Sequence, residues 1–171
     1  PCGAMSMPRN VRCTLAYRGT DFRGFAENEG VATVGGTLRA ALEQVLREPI
    51  ELQVAGRTDA GVHAASQVVS FRTTSARFDA DRLRKSLNHL CAPDIAVAEV
   101  AVVDDEFHAR FSARQRRYRY TVLNRVVPDP LRRDLEWHVP QELDLDAMRI
   151  AASGLVGEHD FSSFCRRPKD Q

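Results

Sequence analysis

The alternation of two hydrophobic periods through the first part of the chain constrains the fold most strongly. From Arg9 to Tyr17 the period is two. Val11, Cys13, Leu15 and Tyr17 share one face, and Arg12, Thr14 and Ala16 the other, which predicts a strand. From Val34 or Thr37 to Arg47 the period lengthens. Leu38, Ala41, Leu42, Val45 and Leu46 form one helical stripe, with Thr37 as the expected N-cap and Pro49 as the stop. A strand is expected over Ile50 to Ala55, a loop of small residues over Gly56 to Ala65, and a third strand over Gln67 to Arg72. Phe78 to Leu90 carries Leu83, Leu87 and Leu90 at helical spacing and ends before Pro93, and Ile95 to Val103 completes the set as a strand. The order β-α-β-β-α-β is the ferredoxin-like arrangement of an α+β domain, placed at residues 8–104. It implies an antiparallel sheet with both helices on one face and the other face free to bind.

Residues 105–171 read as part of a second, similar α+β domain. Gln115 to Asn124 is expected to be a long strand, with Tyr118, Tyr120 and Val122 on one face. Asp144 to Leu155 repeats helical spacing through Leu145, Met148, Ile150, Ala151 and Leu155. A strand and a helix do not close a domain, so this part reads as incomplete, with apolar surface left exposed.

Charge and cysteine usage narrow the class further. The hydrophobic fraction of 43% excludes a disordered chain. The apolar run Ile95 to Val103 is broken by Glu99 and is far shorter than the roughly 20 residues a bilayer demands, so no membrane association is expected. Net charge is only +1, yet Phe107 to Pro128 holds no acidic residue while Arg110, Arg114, Arg116, Arg117, Arg119 and Arg125 all fall there. Guanidinium groups in such density suit phosphate, and contacts of that kind make binding salt-dependent. Arg23, in the loop after the first strand, is a further candidate phosphate contact. Cys2, Cys13, Cys91 and Cys165 form no C-x-x-C pair and have no histidine at zinc-ligand spacing. No metal site is expected, and a reducing cytoplasm fits. The opening Pro1 to Met7 lacks the apolar core of a secretory leader and is expected to be an expression remnant ending in a native Met.

The densest chemical signal is Gly56-Arg57-Thr58-Asp59-Ala60-Gly61-Val62-His63-Ala64. Glycines permit close approach of backbone to a ligand. Arg57 and Asp59 lie two residues apart and can pair, which would hold the carboxylate ionised and oriented. An oriented carboxylate is a possible nucleophile. A salt-bridged turn closing a hairpin satisfies the same spacing, and on spacing alone it is the commoner outcome.

More of the chain bears on the choice. GRTDAGVHA resembles the signature of the bacterial tRNA pseudouridine synthase A family. Tyr17-Arg18-Gly19-Thr20-Asp21-Phe22-Arg23-Gly24-Phe25 resembles that family's opening Y-D-G-T-x-F-x-G-W segment, with Phe25 where many members carry Trp. Phe107-His108-Ala109-Arg110-Phe111-Ser112-Ala113, Arg117-Tyr118-Arg119-Tyr120 and Gly157-Glu158-His159-Asp160-Phe161-Ser162-Ser163-Phe164 match its later segments in order. The resemblance implies an isomerase that converts uridine to pseudouridine in the tRNA anticodon stem-loop. It makes Asp59 the nucleophile, Arg57 its cation and Tyr118 the ring that lies against the target base. Arg110, Arg116, Arg117 and Arg119 are then the expected backbone contacts. It further implies a homodimer with tRNA touching both subunits, and no cofactor or metal. His63 is read as ordering its loop by hydrogen bonding, and Tyr120 as packing in the core. Family members continue beyond residue 171 with an N-A-F-L-x-x-M-V-R type motif, whose arginine is expected to pair with the nucleophile. The chain alone is therefore expected to be weakly active or inactive. The competing reading is a ferredoxin-like RNA-binding module without chemistry, which has no use for an acid such as Asp59 in a phosphate-facing site.

Overall fold

A computed structural model describes residues 7–164. Two compact units divide the chain, one through Arg117 and one from Tyr118 onward. The first contains β1 (Arg9–Tyr17), α1 (Val34–Leu46), β2 (Gln53–Val54), β3 (Ala64–Thr73), α2 (Ala80–Leu90) and β4 (Ile95–Val103). The strands form one sheet in the order β2-β3-β1-β4, antiparallel throughout. This is the ferredoxin-like arrangement expected from the two alternating periods.

The alternation along β1 translates directly into burial. Val11, Cys13 and Leu15 are fully buried, and Tyr17 closes the row. Paired in register with Val69 and Phe71 of β3, they meet Leu38, Leu42 and Leu46 of α1 and Leu83 and Leu87 of α2 in one cluster. Burial pushes the Cys13 thiol up to about 12, and Cys91 is buried as well. Both cysteines are therefore core residues, as their apolar context suggested.

Several boundaries differ from the sequence reading. Helix α1 takes the earlier of its two expected starts, Val34, but the N-cap is Thr33 and not Thr37, its side chain accepting a hydrogen bond from Gly36 N–H. Thr33 satisfies an orphan donor of the first turn, so the two glycines that follow are carried inside the helix. The C-terminus is closed by Arg47 in the left-handed region, at φ 61°. The strand expected over Ile50 to Ala55 shrinks to Gln53–Val54, paired only with Val69 and Ser70. In turn β3 starts earlier than expected, at Ala64.

The sheet's other face is not entirely free. After β4 the chain folds back across it. Asn10 is buried and donates its amide to the carbonyls of Asp104 (2.7 Å) and Phe107 (2.8 Å), and Ser70 Oγ accepts from Ala109 N–H at 3.0 Å. These bonds satisfy polar groups that the sheet itself leaves unpaired.

The second unit holds β5 (Val122–Asn124), β6 (Trp137–Val139), α3 (Leu145–Ser153) and a short 3₁₀ turn at Ser162–Phe164. The strand expected over Gln115 to Asn124 is reduced to three residues, pairing in parallel with β6. Extended backbone becomes strand only where a partner shares its hydrogen bonds; the Thr121 carbonyl accepts from Trp137 N–H at 2.8 Å, and among the described residues no strand pairs with 115–120. Tyr120 is 90% exposed rather than core. Helix α3 forms as expected, with Asp144 as N-cap, but none of its residues is buried. Leu145, Met148 and Ile150 lie open, the exposed apolar surface that an unclosed second domain implies. Among the described residues no helix is long and apolar enough to cross a membrane.

One ion network ties α1 to the loops at both its ends. Arg39 donates bidentately to Glu27 (2.7 and 2.6 Å) and also to Glu43 (3.0 Å), whose carboxylate accepts in addition from Ile50 N–H at 3.1 Å. The Arg39 hydrogen bond lowers Glu27 and, behind the Ile50 N–H, lowers Glu43, both from an ordinary value of 4.5. A carboxylate depressed in the folded state contributes stability above its ordinary value and loses it as pH falls through the folded one. A partly exposed network of this kind is worth about 0.5–1 kcal/mol. Thermal melts from pH 7 downward should therefore show Arg39→Ala less stable near neutrality by about that amount, with the gap closing below pH 4.5.

Candidate active site

The loop between β2 and β3 carries the Gly56-to-His63 signature, and it is held mostly by backbone. Phe25 N–H donates to the Thr58 carbonyl at 2.9 Å, and Gly61 N–H to the Phe22 carbonyl at 3.2 Å. Gly19 N–H donates to His63 Nδ1 at 3.1 Å. The segment Tyr17 to Phe25, on leaving β1, is thus laced against the signature loop along its length. His63 orders the loop, and its Nδ1 acts as an acceptor.

Gly19 explains the closeness of the two segments. A Cβ built there would lie 2.0 Å from the Val62 carbonyl oxygen and 3.1 Å from the Gly61 carbonyl carbon. Gly24 sits under the same loop with φ +94°, and its Cβ would fall 2.9 Å from the Thr58 carbonyl oxygen. Two loops approaching at backbone distance leave no room for side chains between them.

Within the loop, Val62 N–H donates to the Asp59 carbonyl at 3.2 Å, and Gly61 has φ +79°. This is a turn with a glycine at its third position, where positive φ is required. Asp59 opens the turn, and both it and Arg57 are exposed. Among the described residues no ion pair joins Arg57 to Asp59. The direct pairing that their spacing allows is not formed, so the loop is not the salt-bridged turn that competes for the same sequence.

Beneath the turn lies a polar group that periodicity did not pick out. Gln67 of β3 and Tyr17 of β1 are both buried. Gln67 Nε2 donates to the Gly56 carbonyl at 2.7 Å and to Tyr17 Oη at 3.3 Å, and Tyr17 Oη lies 2.8 Å from Thr58 Oγ1. The available signal was a glutamine inside an otherwise apolar strand face, where a buried amide demands partners.

The basic residues fall into two groups. Arg116 donates through Nε (3.1 Å) and Nη2 (2.6 Å) to the Ala55 carbonyl, so its guanidinium is already bound to the chain just before the signature loop. Arg23, Arg110 and Arg117 are exposed. Arg110 lies 5.7 Å from the Phe111 ring centroid, within cation–π range. Tyr118 (67% exposed) and Arg119 belong to the second unit. Among the described residues no cluster of histidine, cysteine or acidic side chains is arranged to hold a metal ion.

The loop contact yields a direct test. Gly19→Ala forces the Val62 carbonyl to move and should cost about 1–3 kcal/mol in urea unfolding. Amide exchange should quicken at Gly61 and Phe25, whose N–H groups bridge the two loops.

The comparisons with known proteins agree with this geometry. The sequence model of a family described as tRNA pseudouridine synthase matches residues 15–112, a stretch spanning both laced loops. The chain is 46% identical over 157 residues to a tRNA pseudouridine synthase A of Brevibacillus brevis, covering 92% of this chain and 64% of that protein. It is 43% identical over 159 residues to the tRNA pseudouridine synthase A of a Caulobacter species, covering 92% and 63% respectively. A Thermoanaerobacter protein of the same name is 40% identical over 156 residues, at 91% and 64%. The chain thus spans less than two thirds of the length of these relatives. With the family match covering more than half of it, the chain belongs to the tRNA pseudouridine synthase family.

Proposed function

We propose that the chain serves in an enzyme that isomerises uridine to pseudouridine in the anticodon stem-loop of tRNA, with Asp59 as nucleophile. The observation that carries this reading is the presentation of Asp59. Its side chain is exposed at the head of a turn whose backbone is bound to a second loop, and it is not consumed by an ion pair among the described residues. A carboxylate carried on a held backbone and open to a ligand is suited to nucleophilic attack.

The reaction balances without an outside reagent. A carboxylate oxygen of Asp59 bonds to the uridine, at the pyrimidine ring or at ribose C1′. The C1′–N1 bond breaks, with its electron pair passing to N1. The uracil turns, C5 bonds to C1′, the proton on C5 is lost, and N1 is protonated as the aspartate is released. A base within a stem-loop reaches a side chain only when flipped out of its stack. Arg57, exposed beside the turn, is suited to hold the displaced nucleotide or the carboxylate. Tyr118 supplies a ring against the base and a hydroxyl near C5. Arg23, Arg110, Arg117 and Arg119 meet backbone phosphates, and Arg116 joins them through the N–H groups that Ala55 leaves free. In this scheme residues 8–104 carry the nucleophile loop, and 105–171 belong to the second catalytic and RNA-binding domain. The partners are tRNA and a second copy of the chain, and the place of action is the cytoplasm.

Tritium release from C5-labelled tRNA tests the assignment. Asp59→Ala should abolish turnover while tRNA affinity in filter binding stays within about twofold, since a nucleophile acts in the transition state and adds little to ground-state binding. Retained turnover would remove Asp59 from the chemistry. The same assay applied to a polypeptide of these 171 residues alone should show turnover at least about a hundredfold below that of a full-length relative. Among the described residues nothing covers the open apolar side chains of the second unit, and loose positioning of catalytic groups costs rate on that scale.

A further inference from the structure

The loop that carries Asp59 rests on a buried polar relay, and the placement of that relay is set by the register of the sheet. Along β1 and β3 the register runs Leu15 opposite Gln67 and then Tyr17 opposite Ala64. Two residues of β1 are thus matched by three of β3, the signature of a bulge. The extra residue lies beyond Gln67, toward the loop; Gln67, opposite Leu15, and Tyr17, two residues on from Leu15, point to the same, helix-covered side of the sheet by ordinary strand alternation, next to the ends of the signature loop.

The hydrogens of the relay can be assigned from its partners. The Gly56 carbonyl can only accept, so the Gln67 atom 2.7 Å from it is the amide nitrogen. The second hydrogen of that nitrogen goes to Tyr17 Oη. Tyr17 Oη, accepting there, is free to donate its own hydrogen to Thr58 Oγ1. Gln67 Oε1 accepts from Val68 N–H at 3.2 Å. Every side-chain polar atom of the glutamine is used, and its bonds reach the residues that flank Arg57, Gly56 directly and Thr58 through Tyr17 Oη.

We propose that Gln67 and Tyr17 are positioning residues of this reaction: by fixing Gly56 and Thr58 on either side of Arg57, the relay Gln67 to Tyr17 to Thr58 sets the direction in which Arg57 and Asp59 meet the nucleotide. The proposal rests on the reading of Asp59 as nucleophile. Tyr17 is 4% exposed and Gln67 8%, so neither touches the RNA, and they act only through the loop. An apolar pair would have filled the same space in the core. The sheet instead carries a buried amide and a buried hydroxyl whose partners, Val68 N–H aside, all lie on the signature loop or on each other.

The test is single-turnover pseudouridine formation on the full-length protein with Tyr17→Phe, which keeps the ring and removes only the hydroxyl. The exponential rate constant should fall about tenfold to a hundredfold, the effect of a misplacement of an ångström or less, with reaction amplitude and tRNA affinity unchanged. Thr58→Val should match it, and the double variant should be no slower than either single one, because all three break the same link. Gln67→Met should fall at least as far, since it also frees Gly56. A wild-type rate constant in Tyr17→Phe overturns the proposal. So does a loss of amplitude at unchanged rate, which would mean that the hydroxyl only helps the protein fold. Asp59→Ala measured alongside keeps the two readings apart. Full turnover in that variant removes the nucleophile assignment whatever Tyr17 does, whereas its loss together with a wild-type rate in Tyr17→Phe removes only the positioning role.

Discussion

Everything around the candidate site depends on two stretches of backbone meeting without side chains between them. The segment leaving β1 and the loop entering β3 touch at Gly19 and the Val62 carbonyl, where even a methyl group would intrude. The contact is possible because β1 and β3 are neighbours in the sheet, so their ends emerge side by side. The laced hydrogen bonds then convert two loops, ordinarily the mobile parts of a domain, into an extension of the sheet. The backbone that carries Asp59 is thereby held, while its side chain stands in solvent.

The sheet also sorts its polar groups by purpose. On the helix-covered side the packing is apolar apart from the Gln67 and Tyr17 relay and Thr73, which hydrogen-bonds Glu48. On the other side Asn10 and Ser70 hold the returning strand of chain that leads toward the arginine-rich stretch. Arg116 bridges back from that stretch to Ala55, at the root of the signature loop. The loop is therefore supported from beneath by the core and from its base by the basic segment.

How much of this was legible depended on whether a residue's role is set locally. The β-α-β-β-α-β order could be read because each element of the first unit buries a regular face, as Val11, Cys13 and Leu15 do. Residues 115–120 misled because their alternation is real but among the described residues no partner strand takes it up, and Tyr120 lies open. Thr37 looked like a cap, yet Thr33 holds the role, since capping is decided by where the chain turns and not by the first apolar residue. At the site, the signature loop stood out by composition, and the structure leaves Asp59 exposed at the head of its turn. Direct pairing of Arg57 with Asp59 did not follow from their spacing: Thr58 between them is bound through its carbonyl to Phe25 N–H and through its hydroxyl to Tyr17. The bonds of Gln67 and Arg116 span separations of up to 61 residues, and no local pattern encodes them.

The register of β3 has a consequence for how this region can change over time. Gln67 keeps its interior seat because it is in phase with Val69 and Phe71, whose pairing with Cys13 and Val11 is regular. A residue gained or lost in the loop therefore leaves the glutamine where it is and displaces instead the segment that it holds. Length variation is tolerated in most surface connections. Here Gly56 and Thr58 are both tied to the relay, so the spacing between those two is the part of the loop least free to change, and the exposed residues of the turn are the part most free.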